Sequence, residues 1–320
     1  MKAFVTGATG FIGSHLCEEL VRRGYKVTCL VREKSNLKWI ENIDLKLITG
    51  DCENIESLLD AVVDVDYVFH LAGLTKACSE KDFFCANSKG TENLIMAVAE
   101  KNPKLKRFTY LSSLAAVGPS NNGSSLREDA EPRPVSGYGR SKLEGEKVVL
   151  KYSDLVPVTI LRPSAVYGPR DKDLFVFFRI LKKGIFPYWG KCYYSLLYID
   201  DLIQGIILAA ESKKAEGEIY FLSDSKCYAN EEIVKAISSA LETKAVRLRV
   251  PKFIMPFFAY IGERIMRQGI INRDKMSELS HSYWICDIKK AREELGFIPK
   301  VGIKEGMKWT ADWYRIHRWL

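Results

Sequence analysis

The strongest constraint on this chain is a glycine-rich turn near its amino terminus, Thr6-Gly7-Ala8-Thr9-Gly10-Phe11-Ile12-Gly13. The turn directly follows a predicted strand at residues 2–6 and opens a predicted helix at Phe11. Glycines at this spacing permit a tight turn, let backbone N–H groups approach a phosphate, and let the helix pack closely on the sheet. The helix amino terminus adds partial positive charge, so the turn predicts a pyrophosphate-binding site. The expected contacts are Gly7, Thr9, Gly10, Phe11, Ile12 and Gly13.

Short β-branched runs alternate with helical patterns through the first half of the chain. This alternation is typical of a parallel sheet that is covered by helices on both faces. Strands are predicted near residues 2–6, 26–31, 45–49, 66–71, 106–112 and 156–161. Helices between them are predicted near residues 11–23, 55–63, 81–101 and 137–152. The predicted fold class is therefore α/β, with a doubly wound parallel Rossmann sheet.

The pattern changes after Pro163, where an aromatic-rich segment punctuated by proline and glycine runs through Tyr198. Helices are then predicted near residues 200–211, 230–241, 253–267, 288–295 and 303–314. We expect residues 1–165 to form an NAD(P)-binding Rossmann domain and residues 166–320 to form a smaller, mostly helical C-terminal substrate domain. A strand near residues 218–222 is expected to rejoin the first sheet, so that the two domains interleave.

Composition excludes several classes of protein. With 320 residues, of which 47% are hydrophobic, the chain can bury a substantial core. No apolar stretch approaches the roughly 18 to 20 residues that span a bilayer, and no signal-peptide layout is present, which predicts a cytoplasmic protein without a transmembrane segment. The cysteines and histidines lack disulfide or metal-ligand spacing, so no metal is expected. The formal net charge of +8 is spread along the chain, which favours an anionic small ligand over nucleic acid.

Two charged residues follow predicted strands where a dinucleotide fold grips adenosine. Arg32 ends the second strand, at the place where an acidic residue usually binds the ribose 2′-hydroxyl. A cation there can instead pair with a 2′-phosphate, helped by Ser35, Lys34 or Lys38, so NADP is favoured over NAD. Asp51, with the adjacent Cys52, follows the third strand and is expected beside the adenine, although an aspartate here also suits an ordinary helix cap.

A serine, a tyrosine and a lysine form the predicted catalytic group. Tyr138 and Lys142 are four residues apart at the start of a predicted helix, which places them on one face. The ammonium, together with the positive charge of an oxidised nicotinamide, can lower the phenol pKa so that the tyrosinate acts as a base. Ser112 and Ser113 close the fifth strand, at the carboxyl end where ligands bind in such sheets, and Ser112 is expected to contact the cofactor. A hydroxyl there can orient a substrate oxygen.

With these motifs in their order, the chain resembles the extended short-chain dehydrogenase/reductase family, also called the NAD(P)-dependent epimerase/dehydratase family. The resemblance covers nearly the whole length. The segments that carry it are TGATGFIG at 6–13, HLAG at 70–73, ANSKGTENL at 86–94, YLSS at 110–113, YGRSK at 138–142, LRPSAVYGP at 161–169, YIDDL at 198–202 and KAREELGFIP at 290–299.

The resemblance implies roles for individual residues of this chain. Ser113, Tyr138 and Lys142 match the catalytic triad, and Asn87 matches the helix asparagine near the active site. Leu71, Ala72 and Gly73 match the loop over the adenosine and pyrophosphate. Pro163 and Ser164 match the segment along the nicotinamide ribose, and Asp201 matches an acid that holds loops together. A homodimer is also implied.

The shared chemistry is a hydride exchange between nicotinamide and a secondary alcohol or ketone carbon. The family's sugar 4,6-dehydratases carry an Asp-Glu pair where this chain has Leu114 and Ala115, so dehydration of that type is disfavoured. Many nucleotide-sugar epimerases carry an Arg-x-Gly-Asp motif about ten residues before the acid that Asp287 matches; this chain reads Ser-Glu-Leu-Ser at 277–280. The arginine of that motif grips the substrate diphosphate.

Three hypotheses follow. The first is an NADP(H)-leaning oxidoreductase similar to the 3β-hydroxysteroid dehydrogenase and dihydroflavonol reductase branch. The second is a nucleotide-sugar epimerase with tightly bound NAD, in which Arg247, Arg249 or Arg273 grips the phosphate. The third is a regulatory protein that senses NAD(P) without turnover, although the complete Ser-Tyr-Lys set argues against it.

Two further features have structural interpretations. His70 lies on a predicted buried strand, and we interpret it as a packed core histidine rather than a catalyst. An apolar stripe at helical spacing is interpreted as core-facing rather than as a lid or a membrane contact. Its residues are Met255, Phe257, Phe258, Tyr260, Ile261, Ile265 and Met266.

Overall fold

A parallel sheet of seven strands forms the centre of the molecule in the computed structural model, which describes residues 1–250 and 273–320. The strands are Lys2–Thr6 (β1), Lys26–Val31 (β2), Lys46–Thr49 (β3), Tyr67–His70 (β4), Arg107–Leu111 (β5), Val158–Pro163 (β6) and, from the second half, Ile219–Leu222 (β10). Their order across the sheet is β10-β6-β5-β4-β1-β2-β3, and every neighbouring pair is parallel. The prediction of a parallel Rossmann sheet is confirmed.

Helices cover both faces of this sheet, because the central strands are apolar on both sides. The helices of the first half are Phe11–Arg22 (α1), Glu56–Leu59 (α2), Glu80–Phe84 (α3), Gly90–Lys101 (α4) and Gly137–Lys151 (α5). The helix predicted over residues 55–63 was wrong in length, since only four residues of it are helical. A π-helical turn, Cys85–Lys89, joins α3 to α4 and interrupts the single helix that periodicity predicted over residues 81–101.

The second half is smaller and mostly helical, as predicted, but it also carries short strands. Its helices are Lys172–Lys182 (α6), Ile199–Glu211 (α7), Asn230–Leu241 (α8), Arg273–Leu279 (α9), Lys289–Leu295 (α10) and Ile303–Ile316 (α11). Its strands are Ala165–Tyr167 (β7), Ile185–Tyr188 (β8), Tyr193–Tyr198 (β9), Cys227–Ala229 (β11), Val246–Arg249 (β12) and Tyr283–Trp284 (β13). The sequence analysis missed α6 and all of these strands. The predicted helix at 253–267 and its apolar stripe lie outside the described residues.

Strand β10 closes one edge of the sheet, where it pairs with β6. Its outer edge is covered by side chains from other segments. The carboxylate of Glu128 accepts a hydrogen bond from the backbone N–H of Phe221 at 2.9 Å, and the Lys290 ammonium donates to the carbonyl of Ile219 at 3.0 Å. Charged side chains that occupy an edge in this way prevent it from pairing with another strand.

Helix α7 connects the two halves of the molecule. Most of its residues are buried, and it packs on α1 and on strands β5 and β6. At its first turn, the buried carboxylate of Asp201 accepts hydrogen bonds from the backbone N–H groups of Lys300 and Val301, at 3.0 and 2.9 Å. This contact fixes the loop before α11 against the sheet. Within the described residues, no helix is long and apolar enough to cross a membrane.

Candidate active site

The glycine turn is packed directly against the loop that follows β4. Gly7 has a φ of +73°, and a Cβ atom there would lie 2.7 Å from the backbone nitrogen of Ala72. A Cβ atom at Gly13 would lie 2.1 Å from the carbonyl oxygen of Gly7. Both distances are too short for any side chain, so the turn holds this shape only with glycine at these two positions.

The amino terminus of α1 has the features of a phosphate site. Gly10 precedes the helix and is exposed, no side chain caps the helix start, and its first turn carries no acidic residue. The first N–H groups of a helix need acceptors from elsewhere, and a phosphate supplies them. In addition, the hydroxyl of Ser164 is buried and has no hydrogen-bond partner among the described residues. These features fit a dinucleotide that runs from the turn toward Ser164.

Arg32 and the Asp51-Cys52 pair lie near each other at the carboxyl ends of β2 and β3. Arg32 is exposed, and its backbone N–H donates to the hydroxyl of Ser35 at 3.0 Å. Burial and the neighbouring Asp51 raise the pKa of Cys52 to about 12, while the guanidinium of Arg32 opposes this rise. The carboxylate of Asp51 accepts from the N–H of Glu53 at 3.0 Å, a local turn contact rather than a cap of α2.

Asn87 connects the π-helical turn to the loop after β4. Its side chain is fully buried and accepts a hydrogen bond from the backbone N–H of Leu74 at 2.7 Å. It donates to the hydroxyl of Ser141, on α5, at 2.9 Å. Gly73 lies close to the side chains of both Asn87 and Lys142. A Cβ atom there would lie 2.8 Å from the Asn87 side-chain oxygen and 3.3 Å from the Lys142 nitrogen. The loop Leu71-Ala72-Gly73, Asn87 and Lys142 are therefore neighbours.

Ser113, Tyr138 and Lys142 are all at the carboxyl end of β5. The hydroxyl of Ser113 accepts from the backbone N–H of Ala115 at 3.1 Å and is close enough to the Tyr138 phenol to lower its pKa. Tyr138 and Lys142 are one turn apart on α5. The buried Lys142 ammonium donates to the carbonyl of Leu111 at 2.7 Å. The chain thus brings together the three side chains that the sequence analysis selected.

The protein groups shift the pKa values of Tyr138 and Lys142 in opposite directions. Burial raises the pKa of Tyr138 to about 12, the nearby Ser113 hydroxyl opposes this rise, and the carboxylates of Glu278 and Asp173 add to it. Burial lowers the pKa of Lys142 to about 8, and Glu146 partly opposes this. The sequence analysis expected an ammonium and an oxidised nicotinamide to lower the phenol pKa. The protein groups alone raise it, so the phenol is protonated at neutral pH.

A buried ion pair that the sequence analysis missed lies behind these residues. Glu146 receives two hydrogen bonds from the guanidinium of Arg162, at 2.9 and 2.7 Å, and both side chains are at most 4% exposed. The hydroxyl of Ser112, which was expected to contact the cofactor, donates to the same carboxylate. The sequence positions could have indicated this pair. Glu146 follows Lys142 by one helical turn, and Arg162 directly precedes Pro163 in a buried strand.

Carboxylates from α9 hold the start of α5. Asp274 accepts hydrogen bonds from the backbone N–H groups of Gly137 and Tyr138, both at 3.0 Å. Glu278 accepts from the hydroxyl of Ser136 at 2.9 Å. These contacts satisfy N–H groups that an α-helix leaves free at its amino terminus, and they place negative charge where the helix dipole favours it. Glu278, which lies in the segment 277–280 where the epimerase motif would be, thus contacts the residue that caps α5.

Arg247, Arg249 and Arg273 were the alternative phosphate ligands. The guanidinium of Arg247 lies 4.2 Å from the ring centre of Tyr188 and 3.3 Å from Glu231. Arg249 is exposed on β12, and the side chain of Arg273 lies outside the described residues.

Near Tyr138 the structure instead places the Phe83 ring, at 6.1 Å, and an ion pair between Lys76 and Asp173. No group of three potential metal ligands occurs in residues 1–250 and 273–320.

Comparison with known proteins relates most of the chain to one family. The sequence model described as "NAD dependent epimerase/dehydratase family" matches residues 3–222. The 2-alkyl-3-oxoalkanoate reductase of Shewanella oneidensis is 28% identical, with coverage of 96% of this chain and 84% of the reductase. The UDP-glucose 4-epimerase of Vibrio cholerae is also 28% identical, with coverage of 96% and 94%.

Solved structures show the same similarity in three dimensions. The UDP-glucuronic acid 4-epimerase of Bacillus cereus, in complex with UDP-glucuronic acid and NAD, superposes with a TM-score of 0.80 at 25% identity. The superposition covers 99% of this chain and 100% of that chain. Reductases and epimerases are therefore both similar to this chain over nearly its full length.

Replacing Gly13 with alanine is expected to abolish dinucleotide binding, because the new methyl group would collide with the Gly7 carbonyl. The measurement is titration of the protein with NADPH or NADH, monitored by nucleotide fluorescence. The matched control is Gly302→Ala, since no atom lies within 4 Å of a Cβ atom there. Binding by Gly13→Ala that equals that of the wild type would contradict the phosphate role of the turn.

Breaking the buried ion pair from one side is expected to lower the free energy of unfolding strongly. Glu146→Gln and Arg162→Met should each cost ~3–5 kcal/mol, because each leaves a buried group without its charged partner. The double variant should cost less than the sum of the two. Urea denaturation measures all three, and Arg133→Met, which breaks an exposed pair with Glu131, is the control with a cost under ~1 kcal/mol. Strict additivity would show that the pair is not coupled.

Proposed function

Because the chain belongs to the NAD dependent epimerase/dehydratase family, we propose that it is an NADP(H)-leaning oxidoreductase that transfers hydride at a secondary alcohol or ketone carbon. The observation that carries this proposal is the placement of the buried Lys142 ammonium on the carbonyl of Leu111, one helical turn from Tyr138, whose phenol pKa the Ser113 hydroxyl lowers. The group lies at the carboxyl end of a parallel sheet, where such folds bind their ligands. Its branch of the family is similar to the 3β-hydroxysteroid dehydrogenases and dihydroflavonol reductases.

The proposed catalytic residues have separate roles in the transfer of one proton. A nicotinamide dinucleotide, when bound, supplies or accepts the hydride. Tyr138 donates its phenolic proton to the carbonyl oxygen during reduction and takes it back during oxidation. The Ser113 hydroxyl orients that oxygen by a hydrogen bond. Lys142 uses one N–H for Leu111, and an ammonium has two more donors, which suits contact with a ribose hydroxyl.

The dinucleotide site is proposed to extend over the residues that the sequence analysis selected. The turn residues Gly7 to Gly13 would bind the pyrophosphate, and Ser164 would offer its free hydroxyl to the nicotinamide ribose. Arg32 is exposed at the carboxyl end of β2, where its guanidinium is available to a 2′-phosphate at the adenosine end. Among the proposed contacts, Ser112 has the weakest support, because its hydroxyl is bound to Glu146.

The protonation of Tyr138 is compatible with reduction of a ketone. Burial keeps the phenol protonated at neutral pH, and a proton donor to a carbonyl oxygen must carry its proton. The nearby carboxylates of Asp173 and Glu278 are paired with the ammonium groups of Lys76 and Lys275. An uncharged carbonyl group needs no further cation from the site. A reductase of 2-alkyl-3-oxoalkanoates among the relatives supports a ketone substrate.

The second candidate function is epimerisation of a nucleotide sugar with tightly bound NAD. It is favoured by the structural similarity to an epimerase that binds UDP-glucuronic acid and NAD. Two assays on the purified protein separate the candidates: NADPH oxidation with 3-oxoalkanoates and other ketones, and interconversion of UDP-sugars without added cofactor. Turnover only in the second assay would replace the reductase proposal. Turnover in neither, with dinucleotide still bound, would support a regulatory sensor of NAD(P).

Tyr138→Phe tests the proton-transfer step. Loss of the hydroxyl should lower turnover by at least ~100-fold, because the carbonyl oxygen loses its proton donor. The dissociation constant of NADPH should stay nearly unchanged, since the phenyl ring keeps its packing against Phe83. Steady-state kinetics and nucleotide titration measure the two quantities. Full activity in this variant would remove Tyr138 from the mechanism.

Arg32→Ala tests the cofactor preference. The dissociation constant of NADPH should rise by about tenfold or more, because a charge-assisted hydrogen bond to the 2′-phosphate is lost. The constant for NADH should change little. Arg22→Ala, which removes an exposed arginine at the far end of α1, is the control. Equal losses for both dinucleotides in Arg32→Ala would refute the 2′-phosphate role.

The proposal also includes a homodimer, which the family resemblance implies, and a location in the cytoplasm. Light scattering on the eluting protein should give twice the chain mass of 36.4 kDa. A mass of one chain at micromolar concentration would contradict the dimer.

A further inference from the structure

His70 is fully buried, yet both of its ring nitrogens have hydrogen-bond partners. Nδ1 lies 2.7 Å from the hydroxyl of Thr6, at the end of β1 and directly before the glycine turn. Nε2 lies 2.9 Å from the hydroxyl of Thr91, on α4. His70 therefore bridges the strand that enters the turn and the helix that follows the π-helical turn. A buried imidazole needs a partner at each nitrogen, and here both partners are hydroxyls from segments that flank the glycine turn and the π-helical turn.

The hydrogen-bond partners on the Thr6 side determine which nitrogen carries the proton. The Thr6 hydroxyl accepts from the backbone N–H of Ala72 at 3.2 Å. Its own hydrogen needs an acceptor, and among the described contacts only Nδ1 of His70 can provide one. Nδ1 is therefore unprotonated.

The Thr91 side leads independently to the same tautomer. The Thr91 hydroxyl donates to the backbone carbonyl of Asn87 at 2.8 Å. Its hydrogen is used there, so it can only accept from Nε2, which must be the protonated nitrogen. The Tyr110 hydroxyl also reaches the Asn87 carbonyl, at the longer distance of 3.3 Å, and contacts Thr91.

We propose that His70 is a positioning residue in its Nε2-protonated tautomer. It connects the loop Leu71-Ala72-Gly73 to Asn87 through a chain of hydrogen bonds that all run in one direction. The chain runs from the Ala72 N–H to Thr6, from Thr6 to His70, from His70 to Thr91, and from Thr91 to the Asn87 carbonyl. Every donor in it has one acceptor. The roles given to the two ends of this chain of hydrogen bonds, dinucleotide binding at Ala72 and the position of Asn87, rest on the proposed function.

The surroundings keep His70 neutral and fixed in orientation. Its ring stacks on Tyr110, with ring centres 5.6 Å apart, and the Lys142 ammonium lies 4.8 Å from the same tyrosine ring. Burial and the charge of Lys142 lower the pKa of His70 to about 3, so the ring is uncharged at neutral pH. A neutral imidazole has one donor and one acceptor, which is what the chain of hydrogen bonds requires.

Nitrogen NMR of the imidazole rings in the full-length protein tests the tautomer. Long-range proton–nitrogen correlation of uniformly labelled protein should show His70 with a protonated Nε2 and an unprotonated Nδ1. The signals are assigned by replacing each of the other three histidines, His15, His281 and His317, with glutamine. A protonated Nδ1 on His70 would overturn the proposal. This measurement needs neither a bound dinucleotide nor a substituted His70.

Two substitutions separate the ends of the chain. His70→Asn places an amide oxygen as far from the backbone as Nδ1, so it keeps the Thr6 bond and loses Thr91. His70→Gln places an amide N–H at the position of Nε2, so it keeps Thr91 and loses Thr6. The dissociation constant of NADPH should rise about tenfold in His70→Gln and stay within about threefold in His70→Asn.

Hydrogen exchange of the backbone amides, measured by mass spectrometry of peptides that cover residues 85–91, should show the reverse pattern. Exchange should accelerate about tenfold in His70→Asn and remain near that of the wild type in His70→Gln. His70→Leu should show both losses. Identical behaviour of the asparagine and glutamine variants in both measurements would overturn the proposal. If the wild type binds neither NADPH nor NADH, the proposed function fails, while the tautomer and the exchange pattern still decide the role of His70.

Discussion

The contact on which the proposed catalytic site depends is the buried pair of Glu146 and Arg162. A carboxylate and a guanidinium in an apolar core are costly to desolvate, and two charge-assisted hydrogen bonds offset that cost only in one geometry. That geometry joins α5 to β6 and, through Ser112, to the end of β5. The side chains of Ser113, Lys142 and Ser164 project from these three elements. Their relative positions are therefore set by a contact that touches none of them directly.

The same pair shapes the electrostatics of the site. Glu146 is one helical turn from Lys142 and raises its pKa, but Arg162 neutralises most of that carboxylate's charge. The ammonium thus remains in a nearly neutral environment, where burial weakens its hold on a proton. Burial disfavours the charged form of both groups, so it lowers the pKa of Lys142 and raises that of Tyr138, to which the carboxylates of Asp173 and Glu278 add. Both groups are therefore protonated at neutral pH, the amine as a cation and the phenol as a neutral donor.

Sequence reasoning predicted the parts of the structure that depend on local pattern. The first six strands, the glycine turn and the spacing of Tyr138 and Lys142 follow from periodicity and residue type. The π-helical turn at 85–89, helix α6 and the short strands were missed, because their patterns resemble a regular helix or an irregular loop. The partners of Ser112 and Ser136 were also missed, since Glu146 and Glu278 reach them only after the chain has folded. The tautomer of His70 likewise depends on two threonines from distant segments.

The origin of strand β10 has a consequence for biosynthesis. The central sheet receives its last strand from residues 219–222, after about 55 residues that belong to other layers. A ribosome must therefore complete two thirds of the polypeptide before the exposed side of β6 can be paired. Until then the nascent chain presents the backbone groups of β6 to any extended segment nearby. Glu128 is already synthesised by then, so its carboxylate can occupy part of the new edge as soon as β10 docks.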